Sequence, residues 1–76
     1  MFIDDTDPRL IDAEADVRSC FSDGNLYSNA PLGDILVAAH TALKANGLPL
    51  RKSLAILIGR RAQTWWHGQT MEVQAL

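Results

Sequence analysis

Hydrophobic positions recur along this chain every three or four residues, which is the spacing of an amphipathic helix. Asp7 and Pro8 are suited to begin the first helix, because Asp caps free backbone N–H groups and Pro fits the first turn. The apolar positions that follow are Leu10, Ala13, Val17 and Phe21. The pattern predicts a helix over residues 8–21.

A second apolar stripe follows the turn-rich segment 22–30 and predicts a helix over residues 31–46. Its members are Leu32, Ile35, Leu36, Ala39 and Leu43. Asn46 and Gly47 are expected to end this helix, with Gly47 in the left-handed conformation and Leu48 folding back behind it.

The remaining proline and glycine residues predict two shorter helices. Pro49 opens a helix over residues 50–58, in which Leu54, Leu57 and Ile58 face inward, and Gly59 stops it. A fourth helix is expected from about residue 62 to residue 67 or somewhat further, with Gly68 ending or weakening it. The tail, residues 71–76, fits a short strand, a helical turn or a frayed end. We therefore expect one domain, residues 1–76, that is all-α and forms a compact bundle of three to four short helices.

Composition adds a charge asymmetry to this picture. The 76 residues carry a net charge of −2, but residues 1–34 carry −6 and residues 35–76 carry +4. This distribution indicates an acidic N-terminal arm, residues 1–7, and a basic C-terminal half. The single cysteine, Cys20, excludes an internal disulfide bond, and no apolar run is long enough for a membrane span or a signal peptide. We expect a cytoplasmic protein with no membrane contact.

The basic half contains residues at the spacing of a helix-turn-helix, at residues 50–68. Ala55 is small enough for two helices to cross closely, Gly59 suits the turn, and Trp65 can point back into the core. This segment resembles the small bacterial and phage helix-turn-helix regulators, in which Ala, three residues and Gly precede a polar stretch that ends in Thr and an apolar residue.

The resemblance implies a transcriptional regulator that binds double-stranded DNA as a homodimer. Arg61 would then pair with guanine and Gln63 with adenine in the major groove, and His67 would contact bases or backbone. Phosphates would be contacted by Arg51, Lys52, Arg60 and Thr64. The same residues are also compatible with an ordinary solvated helical face, so the two interpretations stay open.

A rival hypothesis comes from the adjacent tryptophans and the acidic half. Trp65 and Trp66 point about 100° apart on a helix, so one of them is expected to be exposed as an interface anchor. Asp12 and Asp16 could present carboxylates to a basic partner. These features favour a protein-binding adaptor or a phage-type inhibitor, unless both tryptophans are buried and the acids serve only solubility.

The residue pattern does not indicate a catalytic site or a metal site. Cys20, His40 and His67 are the soft metal ligands of the chain, and no two of them have the spacing of a metal motif. No nucleophile, base and orienting group occur in a recognisable arrangement, and no glycine-rich phosphate loop is present. We expect a non-enzymatic protein with no catalytic residue, metal or cofactor.

Overall fold

Three α-helices make up the computed structural model, which describes residues 6–75 and the side chains of residues 6–69. They are α1 (Pro8–Ser22), α2 (Leu32–Ala45) and α3 (Lys52–Ala75). No strand occurs within the described residues, so the predicted all-α fold class is confirmed. Residues 1–5 of the predicted acidic arm and the last residue of the tail lie outside the described residues.

Short-range hydrogen bonds define where α1 begins and where α2 ends. The carboxylate of Asp7 accepts a hydrogen bond of 2.9 Å from the backbone N–H of Arg9, and Pro8 occupies the first turn, as predicted. At the end of α2, Gly47 has a φ of 70°. The N–H of Leu48 donates to the carbonyl of Leu43 over 2.9 Å, which completes a Schellman motif. The predicted end of this helix is confirmed, and Leu48 is buried.

The predicted break at Gly59 is wrong, because α3 runs without interruption from Lys52 to Ala75. The separate helices 50–58 and 62–67, and with them the turn of the candidate helix-turn-helix 50–68, are absent. Gly59 is buried at the crossing of α2 and α3, where an added Cβ would lie 2.6 Å from Cγ2 of Ile35. The glycine therefore permits close helix packing rather than a turn. The same helix continues through residues 71–75 of the tail, which excludes a strand there.

The three helices pack around a single core that uses many small side chains. Alanine supplies five of the buried positions, which lets the helix axes approach closely. The buried alanines are Ala13, Ala39, Ala42, Ala55 and Ala62, and the largest buried side chains are Leu10, Val17, Phe21, Ile35, Leu43 and Ile58. The inward stripe predicted for α1 is thus confirmed in full.

The inward stripes predicted for α2 and α3 are confirmed only in part. Leu32 is 42% exposed, because it is the first residue of α2 and lies at the margin of the helix contact. Leu36, Leu54 and Leu57 are half-buried and pack against the edge of the core. The interior is therefore narrower than hydrophobic spacing alone predicts.

The order of contacts gives the directions of the helices. Glu14 and Phe21 of α1 approach Arg61 and Trp66 of α3 in the same sequence order, so α1 and α3 run in the same direction. The helix between them, α2, runs in the opposite direction. A hollow open to solvent lies along the junction of α1 and α3 on one side of the bundle.

Candidate functional site

A groove of about 750 Å³ lies between α1 and α3. Its apolar lining comes from Ile56, Leu57 and Trp65, and its charged lining comes from Glu14, Arg18, Arg60 and Arg61. All of these residues belong to α1 or α3, so the groove follows the open junction of the two parallel helices. The combination of an apolar floor and a charged rim makes this groove the candidate functional site.

Helical spacing explains why α3 presents this surface. The buried side of α3 carries Ala55, Ile58 and Ala62, which face the core. The residues that line the groove recur at intervals of four, three and four along the other side, at Ser53, Leu57, Arg60 and Thr64. This is the spacing at which one helix presents a continuous ridge to another helix. One face of α3 therefore builds the fold, and the opposite face is available for binding.

An electrostatic cluster forms the α1 side of the groove. The carboxylate of Glu14 accepts a hydrogen bond of 2.7 Å from the guanidinium of Arg18, one turn later on the same helix. Its other oxygen lies 4.0 Å from Nη1 of Arg61 on α3. The guanidinium of Arg18 also lies over the ring of Trp65, 5.0 Å from its centroid, in a cation–π contact. These contacts hold the two walls of the groove together.

Arg60 differs from the other arginines of the groove. Its side chain is exposed, and it has no carboxylate partner within the part of the chain that the structure describes. It also borders a second hollow of about 360 Å³, on the α2 side of α3, together with Leu32, Ile35 and Gln63. Arg60 therefore stands on the ridge between two hollows, with its charge directed to solvent.

The fold places the residues predicted to bind DNA on more than one surface of the protein. Arg60, Arg61 and Thr64 line the groove. Arg51 and Lys52 are exposed at the beginning of α3, two turns from Arg60. Gln63 and His67 do not line the groove, and both contact the loop between α1 and α2, although Gln63 lines the second hollow together with Arg60 and Thr64. The structure therefore does not bring the seven residues together as one interface.

Three side chains of α3 converge on Ser28 in the loop between α1 and α2. Gln63 Nε2 and His67 Nε2 lie 3.2 Å and 2.6 Å from the backbone carbonyl oxygen of Ser28, which accepts from both. Trp66 Nε1 donates to Ser28 Oγ over 3.1 Å. This anchor was not predicted from sequence, although positions 63, 66 and 67 share one face of a helix. It ties the loop to the second half of α3.

The residues predicted to form a protein interface also separate. Trp65 is half-buried and lines the groove, whereas Trp66 stacks on Phe21 with ring centroids 6.4 Å apart. Trp66 therefore has a role in packing. Asp12 and Asp16 are exposed on α1 outside the groove, and the carboxylate of Asp16 accepts a hydrogen bond of 2.9 Å from Asn46 Nδ2. The groove and the acidic face of α1 are thus two distinct surfaces.

The remaining polar groups supply no second centre of chemistry among the described residues. No three side chains of the His, Cys, Asp and Glu type lie in positions to share a metal ion there. Cys20 is half-buried, and burial, together with Asp23 and Asp16, raises the pKa of its thiol. The ring of His40 bonds to the carbonyl of Leu36 on its own helix over 2.8 Å.

Comparison of the chain with protein-family models, with curated protein sequences and with solved structures finds no match. Within the described residues, none of the three helices combines the length and the hydrophobicity that a membrane-spanning segment needs. The geometry of the groove is therefore the guide to what the protein binds.

Proposed function

We propose that this protein acts by binding a partner protein, and that the groove between α1 and α3 is the binding surface. The observation that carries the proposal is the apolar floor of Ile56, Leu57 and Trp65 with arginines along its rim. Buried centres of protein interfaces are enriched in Trp and Arg, and polar rims surround them. The groove has this composition within one continuous surface.

The apolar floor supplies the driving force. Ile56, Leu57 and Trp65 are each only half-buried in the isolated chain, so a partner can remove more of their surface from water. Each square ångström of apolar surface buried contributes about 25 cal/mol, before the costs of association are subtracted. The guanidinium of Arg18 already lies over the ring of Trp65, 5.0 Å from its centroid, and this contact helps to hold the ring in place.

Binding of double-stranded DNA, the function implied by the helix-turn-helix resemblance, is less favoured by the geometry. Its turn at Gly59 is absent, and Gln63 and His67 are engaged by the loop anchor. The exposed bases Lys52 and Arg60 remain on one helix and could attract phosphates. DNA is therefore retained as an alternative outcome of the experiment below, as is a homodimer.

Site-specific photocrosslinking in the cells that encode the protein tests the proposal. A photoreactive amino acid replaces Leu57 in the groove, and matched variants carry it at Val37 or at Asp12. Val37 is a suitable control because it is apolar, 68% exposed and located on α2. Asp12 samples the acidic face of α1. We expect a discrete protein adduct, identified by mass spectrometry, from the Leu57 position alone.

Each other result overturns the proposal in a different way. A nuclease-sensitive adduct at Leu57 would assign the groove to nucleic acid. An adduct with a second copy of the chain would assign it to a homodimer. An adduct that forms at Asp12 and not at Leu57 would move the interface to the acidic face of α1. Adducts of equal yield at all three positions would show that contact with other proteins is nonspecific.

A further inference from the structure

We infer that the segment bound by the groove is an amphipathic α-helix whose apolar stripe is flanked by acidic side chains, supplied by a different protein. This inference rests on the proposed function and specifies its ligand. Three features of the described residues carry it: the length and spacing of the α3 ridge, the balance of charge around the groove, and the absence of a matching face on this chain.

The shape of the groove fits a helix. Its lining on α3 extends from Ser53 to Trp65, which corresponds to roughly 18 Å along the helix axis. The spacing of Ser53, Leu57, Arg60 and Thr64 is the spacing with which helices interlock side by side. A helix of about 12–14 residues would cover this length and would turn the three-helix bundle into a four-helix arrangement.

The charge around the groove selects acidic flanks. Arg18, Arg60 and Arg61 line it, and Glu14 is the one acid among its lining residues. That carboxylate contacts Arg18 at 2.7 Å and Arg61 at 4.0 Å, so both of these arginines are already engaged by an acid. Arg60 adds an exposed guanidinium with no carboxylate partner among the described residues. Although the chain as a whole carries −2, the exposed guanidinium of Arg60 offers the groove a positive charge that a ligand can meet.

The described side chains of a second copy, residues 6–69, do not offer the complementary surface. A helix that fills this groove needs at least two large apolar side chains one turn apart on its exposed face. The large apolar residues that are well exposed in the described part of the chain are Ile11, Tyr27, Leu32, Val37 and Leu50. No two of them lie three or four residues apart on one helix. The ligand is therefore assigned to another protein.

Synthetic peptides provide the test without knowledge of the partner. Two fluorescent peptides of about 14 residues, stapled because short helices are marginal in water, carry the same leucine stripe. One has glutamates on the flanks and the other has lysines in the same places. Fluorescence anisotropy with the full chain should give about tenfold tighter binding of the glutamate peptide at low salt, which corresponds to about 1.4 kcal/mol. Added salt should reduce this ratio.

Charge reversal in the protein locates the effect. Arg60→Glu should remove the preference for the glutamate peptide and improve binding of the lysine peptide. Lys44→Glu makes the same change of charge on an exposed residue of α2, away from the groove, and should leave the preference within about twofold. Both residues are exposed, so neither substitution should disturb the core, and circular dichroism of each variant is the check that it folds.

The outcomes separate the inference from the function on which it rests. Equal binding of both peptides, or no binding of either, overturns the acidic helix as the ligand, while the crosslinking result at Leu57 decides the proposed function independently. An equal loss of preference in Arg60→Glu and Lys44→Glu would show that net charge rather than the groove is responsible. A glutamate preference that only Arg60→Glu abolishes supports the inference.

Discussion

Gly59 provides the sharpest test of the fold, because its substitution by alanine has two opposed effects. In a helix interior, alanine is more favourable than glycine by about 1 kcal/mol. At Gly59, however, the added Cβ would lie 2.6 Å from Cγ2 of Ile35, and 4.0 Å from Cβ of Ala39. Ile35 is 2% exposed and branched at Cβ, so this methyl group can move away only through an unfavourable χ1 rotation or a shift of the backbone.

The net effect follows from the size of the two terms. Overpacking of a tight core costs about 1–3 kcal/mol, which equals or exceeds the gain in helix propensity. We therefore expect Gly59→Ala to change the free energy of unfolding by between zero and a loss of about 2 kcal/mol. Gly68 lies on the same helix, and nothing lies within 4 Å of an added Cβ there. Gly68→Ala should therefore gain up to about 1 kcal/mol and serves as the matched control.

Urea unfolding followed by circular dichroism measures both variants, and a rescue variant identifies the contact. Ile35→Leu moves the branch from Cβ to Cγ and so removes the methyl group that meets the new Cβ. In the double variant, the cost of Gly59→Ala should fall by about 1 kcal/mol, a coupling typical of residues in contact. One result would refute the close crossing of α2 and α3. In that result, Gly59→Ala stabilises the protein as much as Gly68→Ala does, and its effect does not change when Ile35 is replaced.

Three further predictions concern single side chains. Contacts with Arg9 lower the pKa of Asp7, so its ionised form stabilises the fold above the ordinary value of 3.8 and this contribution disappears as the pH falls through the lowered pKa. Asp7→Ala should accordingly reduce the urea midpoint at neutral pH, and the deficit should shrink in acid. Phe21→Ala should cost about 3–5 kcal/mol in urea unfolding, because Phe21 is fully buried and stacks on Trp66. Because burial raises the pKa of the Cys20 thiol, its alkylation by iodoacetamide at about pH 8, followed by mass spectrometry, should be slower in the folded protein than in urea.

Sequence patterns predicted those parts of the fold that depend on neighbouring residues. The cap at Asp7, the inward stripe of α1 and the left-handed Gly47 each follow from residues within a few positions of one another. Gly59 was misinterpreted because its role is set by Ile35, which belongs to another helix. A glycine can end a helix or can allow two helices to cross closely, and the local sequence does not distinguish the two roles. The residue that packs against the glycine does.

The candidate site shows the same division between local and distant information. Arg60 and Arg61 were expected to be exposed bases on a helix, and they are. Leu57 was expected to point inward, and it instead lines the groove, because Ile58 occupies the buried face of α3 and the preceding residue on a helix points about 100° away. Gln63 and His67 were assigned to DNA because nothing in the adjacent sequence indicates that they contact Ser28.

The continuity of α3 also limits which functions the protein can have. The groove extends from Ser53 to Trp65 because α3 is continuous over these residues, and a turn at Gly59 would divide Ile56 and Leu57 from Arg60 and Trp65. Gly59 lies on the side of α3 that contacts α2, whereas the groove lies on the side that meets α1. Gly59→Ala should therefore affect the stability of the fold, with little direct effect on the groove. If α3 had a turn at this position, the same substitution would affect binding and folding equally. The affinity of the glutamate peptide for folded Gly59→Ala should stay within about twofold of its affinity for the parent protein, or about 0.4 kcal/mol. This result would support two separate faces on one helix.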